Sequence, residues 1–189
     1  DLDNALVLSI RERYRYIIAS NAFRIAFRGG VDTYGIDMLV EMMRRLVYQR
    51  RFDVALVFLL PDVGDHLYFK QILNKIETLG LSERFLFVRQ PLRQASSLWR
   101  LSDLVIRATN TDGNSLTVLE ALSQKVPTLA SDCAPRPRGT TLFRNRDVDD
   151  LTAKASYILE HLDECKRAMD TIAVPSYEEA FLRLYERFT

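Results

Sequence analysis

The chain has 189 residues, 48% hydrophobic and 27% charged, which is ordinary for a soluble globular domain with room for one sizeable core. A formal net charge of +1 excludes binding to nucleic acid or to an anionic membrane through bulk charge, so any anion site has to come from local placement of arginine. Two cysteines, Cys133 and Cys165, are too few for a disulfide framework, and the longest apolar run, VALVFLL at 54–60, is too short to span a bilayer.

Residues 1–22 are the least legible stretch, a helix or an interdomain connector. DLDNALVLSIRERYRY lacks the basic start and small-residue cleavage site of a signal peptide. The chain does not start with Met and is read as part of a longer protein, in the cytoplasm, with a peripheral role at the inner face of a membrane left open. From residue 23, strand-like and helix-like runs alternate. FRIAFR (23–28) predicts a first strand and GIDMLVEMMRRLVYQR (35–50) a helix. VALVFLL predicts the next strand, followed by a helix over 65–80 that ends on a C-cap Gly80. RFLFV (84–88), DLVIR (103–107), PTLAS (127–131) and TTLF (140–143) predict four more strands. Helices are expected over 93–101, 114–124, 147–162 and, after Pro175, 176–188. The strands are short, nearly continuous apolar runs, as in a parallel sheet covered by helices on both faces. The fold class is therefore α/β, a Rossmann-like three-layer α/β/α sandwich with about six parallel strands over 23–189.

Ligands of such sheets bind beyond the carboxyl ends of the strands. Four of the six predicted strands deliver arginine there: Arg28 before Gly29 and Gly30, Arg89, Arg107, and Arg136 with Arg138. Several converging guanidinium groups suit a phosphate or carboxylate. The loop ATNTDGNS (108–115) opens a helix whose N-terminus offers backbone N–H groups and partial positive charge to an anion, and Gly113 lets the backbone come close. Asp112 and Asn114 are helix-capping residue types in the same stretch. There is no GxGxxG after the first strand and no GxxxxGK[ST]. His66 and His161 lie far apart outside any ligand-spaced cluster, so no metal is expected. Within the apolar helix pattern SLTVLEAL, Glu120 lies one turn from Leu116 on the same face and asks for a role.

TDGNSLTVLEALSQKVPTLASD, preceded by LWRLSDLVIR, resembles the donor-binding half of GT-B-fold glycosyltransferases, specifically the retaining family four that builds polysaccharides and glycolipids. Asp112 and Glu120 match its pair of acidic residues separated by seven others, and PTLASD its following strand. DVDDLTAKASYILEHL and FLRLYERF resemble its last helices. The resemblance implies one half of a GT-B fold, binding a nucleotide-diphosphate sugar without a metal cofactor. It implies catalytic-site roles for Asp112, toward the donor sugar hydroxyls, and for Glu120, toward the ribose diol. It implies donor binding by the backbone N–H groups of Gly113, Asn114, Ser115 and Leu116. Arg28 with Gly29, Arg107 and Arg138, placed at the strand ends, are the candidates for the donor phosphates. It further implies a saccharide or glycolipid acceptor and an N-terminal acceptor domain outside this chain, without which sugar transfer would be inefficient.

The chain departs from the family pattern in three places. Asp112 is shorter than the usual Glu. In RGGVDTYG, Tyr34 stands at the usual Lys, and the usual phosphate-clamping Arg is either shifted to Arg28 or lost. SQKVP lacks the usual Gly before Pro. The competing reading is a non-catalytic nucleotide- or phosphate-binding scaffold with a degenerate donor site. A receiver-like domain is disfavoured, since FRGG supplies no acidic cluster.

Overall fold

The computed structural model describes residues 2–89 and 96–172. Helix α1 (Leu2–Arg13) leads into strand β1 (Tyr16–Asn21), and the hairpin β2 (Phe27–Arg28) and β3 (Val31–Asp32) precedes α2 (Ile36–Tyr48). Then follow β4 (Val54–Leu59), α3 (His66–Thr78), β5 (Phe85–Val88), α4 (Ser96–Leu101), β6 (Leu104–Arg107) and α5 (Leu116–Ser123). The described part closes with β7 (Thr128–Ser131), β8 (Thr140–Phe143), α6 (Val148–Glu160) and α7 (Leu162–Asp170).

Six strands form one parallel sheet in the order β5-β4-β1-β6-β7-β8. The chain moves outward from β1 to β4 and β5, then returns to the other side of β1 as β6, β7 and β8. This is the doubly wound Rossmann order. Alternate residues of each central strand feed two cores, as the period of two demands. Ile18, Leu56 and Leu104 pack with Leu39 of α2, Ile72 of α3 and Leu151 of α6. Ile17, Val57 and Val105 face the other way, onto Ile10 of α1, Trp99 of α4 and Ala121 of α5. The result is the expected three-layer α/β/α sandwich.

The first strand is a correction to the sequence reading. The central strand β1 is Tyr16–Asn21, inside the 1–22 segment whose sequence suggests a helix or connector, and residues 23–28 are not in the six-stranded sheet. Ile17, Ile18 and Ala19 have no exposed surface. A strand covered on both faces cannot hold Arg24 and Arg28, and it would bury Phe23 and Phe27, which are 67% and 42% exposed. Residues 23–28 instead run along the sheet's edge, through a bridge from Arg24 to Asp62, into the β2–β3 hairpin. Gly29 and Gly30 turn that hairpin with φ of 59° and 75°, the paired left-handed conformation of a tight hairpin turn. Helix α7 is a second addition: the expected helix over 147–162 ends at Glu160, and a new helix starts after His161. The expected helix over 176–188 and residues 93–95 lie outside the described residues.

Candidate active site at the carboxyl edge of the sheet

Strands β1 and β6 lie side by side where the strand order reverses, and end at Asn21 and Arg107. In a doubly wound sheet a crevice opens there. The segments after β3, β6 and β7 close around it.

The turn after β3 brings the start of α2 against the residue that follows β6. Gly35 has a φ of 67°, and a Cβ on it would lie 2.3 Å from the Ala108 carbonyl oxygen, so only glycine permits this approach. Asp32 fixes the turn. Its carboxylate accepts from the backbone N–H of Tyr34 at 2.9 Å, from that of Ile36 at 2.7 Å and from the Tyr68 hydroxyl at 2.9 Å. Burial pushes the Asp32 pKa up, more than these hydrogen bonds pull it down.

After β6 the chain doubles back so that Asp112 meets Arg107. Arg107 Nε and Nη2 donate to the two Asp112 oxygens at 3.0 and 3.2 Å. Arg136, delivered by the loop after β7, donates to Asp112 Oδ2 through Nη1 at 2.8 Å. Burial raises the carboxyl pKa, but the hydrogen bonds and charges of the two guanidinium groups outweigh it and bring the value to about 2. Arg107 also lies over the Tyr34 ring, with Cζ 5.3 Å from the centroid. Asn21 Oδ1 accepts from Thr117 Oγ1 at 3.0 Å, tying the end of β1 to the first turn of α5.

Helix α5 starts at this edge. Its N-cap Ser115 makes no side-chain cap bond, although it is only 6% exposed. Gly113, Asn114 and Leu116 are exposed beside it, and nothing would lie within 4 Å of a Cβ on Gly113. Further along the helix, half-buried Glu120 accepts at Oε2 from the indole Nε1 of the fully buried Trp99, at 2.8 Å.

Of the arginines expected to converge, the structure brings together Arg107 and Arg136. Arg28 is exposed in the hairpin beside Gly29 and reaches Thr111 Oγ1 at 3.2 Å. It does not end the first strand, which stops at Asn21. Arg138 is exposed and makes no hydrogen bond or ion pair with the described residues. Arg89 follows the edge strand β5, where it covers Phe69. Asn21 and Trp99 were missed in sequence. Asn21 becomes visible as a site residue only once Tyr16–Asn21 is recognised as the first strand, and no local signal links Trp99 to Glu120. Among the described residues no three His, Cys, Asp or Glu side chains group in a way that could hold a metal ion, and no helix is long and apolar enough to cross a membrane.

The model of the family described as Glycosyl transferases group 1 matches residues 22–161. A sequence search of curated proteins gives no match. Among solved structures the chain is similar to the C-terminal domain of a glycosyl transferase group 1 family protein from Francisella tularensis. The TM-score is 0.70 at 17% identity, covering 88% of this chain and 86% of that one. It is also similar to a glycosyltransferase from Rickettsia africae, with TM-score 0.70, 18% identity and coverage of 88% and 45%. Anabaena HepE in complex with UDP gives TM-score 0.71, 16% identity and coverage of 86% and 44%. At these identities the likeness is one of fold, and the chain spans less than half the length of the last two proteins. The family match covers most of the chain and includes both Asp112 and Glu120: this chain belongs to the glycosyl transferases group 1 family.

Proposed function

We propose that this chain is the nucleotide-sugar-binding domain of a retaining glycosyltransferase that transfers a sugar to a polysaccharide or glycolipid acceptor. The observation that carries the reading is the start of α5. Helices α3 and α6 are capped by Asp65 and Asp147, which accept N–H groups at 2.9 and 2.8 Å. Ser115 caps nothing, and its buried Oγ has no hydrogen-bond partner among the described residues. A helix start left uncapped beside Arg107, at the point where the strand order reverses, suits a diphosphate.

In this reading the donor phosphates meet the N–H groups of α5 and the guanidinium of Arg107, and Glu120 accepts from the ribose diol. These groups act where negative charge develops on the leaving diphosphate. No metal is required of Asp112, whose carboxylate is already engaged by Arg107 and Arg136. HepE, similar in fold, has been crystallised with UDP and with UDP-glucose, which supports a nucleotide-sugar partner. The acceptor would be bound by an N-terminal domain, as suggested by the chain's match to 86% of an isolated C-terminal domain but 45% of a longer glycosyltransferase. Closure of the two halves would orient the acceptor and exclude water, so this chain by itself would bind donor without efficient transfer. The free thiols of Cys133 and Cys165 suit the cytoplasm, and a glycolipid acceptor would place the enzyme at the inner face of a membrane.

Calorimetric titration with UDP, GDP and their sugar conjugates, with and without EDTA, tests the reading. One nucleotide should bind more tightly than inorganic pyrophosphate, and EDTA should leave its affinity unchanged. A non-catalytic phosphate-binding scaffold is favoured by the prior engagement of both arginines with Asp112. It would bind pyrophosphate as tightly as any nucleotide.

A further inference from the structure

Asp112 receives more donors than its geometry leaves room for. Oδ1 takes Arg107 Nη2 at 3.2 Å and the Gly113 N–H at 3.1 Å. Oδ2 takes Arg107 Nε at 3.0 Å, Arg136 Nη1 at 2.8 Å and Thr109 Oγ1 at 3.2 Å. The side chain is 10% exposed. A carboxylate offers about four lone-pair sites, so no acceptor position is left for a hydroxyl of a ligand.

The two arginines differ in what they have left to give. Arg136 is 1% exposed, and its Nε donates to the Ser131 carbonyl at 3.1 Å while Nη2 lies near Thr109 Oγ1 at 3.3 Å. It is a buried brace. Arg107 spends Nε and Nη2 on Asp112, and Tyr34 covers a face of its guanidinium plane. Among the described residues its Nη1 has only two long contacts, both 3.4 Å, to the Asn21 carbonyl and Oδ1. Bonds that long are weak and yield to a better acceptor.

We propose that Asp112 and Tyr34 are positioning residues, which hold Arg107 so that its Nη1 is presented to a terminal phosphate of the donor at the ends of β1 and β6. This rests on the donor-binding reading above and reassigns Asp112 within it, from a group that touches the donor sugar to one that acts through Arg107. Asp112 clamps two guanidinium edges, Tyr34 covers the ring-facing side, and the remaining edge is aimed before any ligand arrives. Such preorganisation removes the ordering cost of a long side chain from the binding step. It also explains why a carboxylate stands in an anion site. Arg107, Arg136 and Asp112 together carry one net positive charge, and without Asp112 the two guanidinium groups would repel each other.

Three roles for Asp112 give different signs in one experiment. Titrations of inorganic pyrophosphate, UDP and UDP-glucose are compared for the wild-type chain, Asp112→Asn, Tyr34→Leu, Tyr34→Phe and Arg107→Ala. If Asp112 positions Arg107, Asp112→Asn and Tyr34→Leu each weaken all three ligands by about tenfold, the scale of one charge-assisted hydrogen bond, and Tyr34→Phe rescues. In the Arg107→Ala background both substitutions then have no further effect. If Asp112 touched the sugar, only UDP-glucose would weaken. If it merely competed as a counter-charge, Asp112→Asn would tighten binding. Either result, or additive losses in the Arg107→Ala background, overturns the proposal. The Nε–H resonance of Arg107 in a 15N spectrum gives a second readout in the milder Tyr34 variants: it should shift on adding pyrophosphate, and in Tyr34→Leu alone the same shift should need about ten times more ligand. Pyrophosphate binding with this pattern, but no preference for UDP, would sink the nucleotide reading and leave the clamp standing. UDP binding that ignores Arg107→Ala would do the reverse, and a wild-type chain that binds neither overturns both.

Discussion

The indole N–H of Trp99 donates to Glu120 Oε2 at 2.8 Å, and so joins α4 to α5 through the one charged side chain of that helix. The bond engages one of the two carboxylate oxygens of Glu120. Glu120→Gln keeps the size, an acceptor for Trp99 and the helix propensity, but loses the charge. UDP binding should weaken by about 1–2 kcal/mol, the difference between charged and neutral hydrogen bonds, while inorganic pyrophosphate, which has no ribose, should be unaffected. An unchanged denaturant midpoint and far-UV circular dichroism would show that the packing has survived, since the emission of Trp99 itself responds to the charge of its partner. Equal weakening of both ligands would mean that Glu120 shapes the site without contacting the nucleotide.

Arg107→Ala should weaken UDP binding by on the order of 1.5–3 kcal/mol, and Arg51→Ala should leave it unchanged. Arg107 ends β6 at the carboxyl edge, whereas exposed Arg51 lies between α2 and β4 at the opposite edge. Calorimetry on the two variants locates the ligand, and equal losses would place it away from the carboxyl edge.

Acid should unfold the domain partly through Asp112. Its pKa is about 2 in the native chain against an ordinary 3.8, so the unfolded chain takes up the proton first. A depressed carboxyl pKa stabilises fully above the unfolded value and loses that contribution as pH falls through the folded one. The contribution is about 2 kcal/mol, from the free-energy equivalent of a pKa unit. Denaturant midpoints measured from pH 5 down to about pH 2 should therefore fall less steeply in Asp112→Asn than in the wild type, from a lower starting stability.

Gly35→Ala should cost more than about 2 kcal/mol, because it adds left-handed strain to a Cβ only 2.3 Å from the Ala108 carbonyl oxygen. Gly29→Ala, at a φ of 59° but with nothing within 4 Å of the new Cβ, should cost about 1 kcal/mol. Thermal unfolding of the two variants separates backbone strain from steric closure. If both lose the same stability, the approach of α2 to β6 is not as tight as described.

Alternating short apolar runs and helical periods determine, from sequence alone, strands β4 to β8 and helices α2, α3, α5 and α6. Strands β4, β6 and β7 are buried on both faces and read as continuous apolar runs, while the partly exposed edge strands β5 and β8 are legible from their place between helical periods. The same signal misplaces β1. Its buried apolar part is only Ile17, Ile18 and Ala19, followed by the buried polar Ser20, and is shorter than the run at 23–28. At the site, Arg107 and Asp112 are five residues apart, and their meeting is a local property of one loop. Arg136 joins them from 24 residues away, Asn21 reaches Arg107 across 86, and Trp99 finds Glu120 across 21. Those partnerships depend on strand order and helix packing, which no short window encodes. Tertiary structure likewise decides which arginines converge: Arg89 leaves the edge strand to cover Phe69, Arg138 stays exposed, and Arg107 and Arg136 meet because β6 and β7 are neighbours whose loops share the Asp112 carboxylate. Local periodicity is set by each segment's own burial, while the choice of distant partners is set by the packing of the whole sheet.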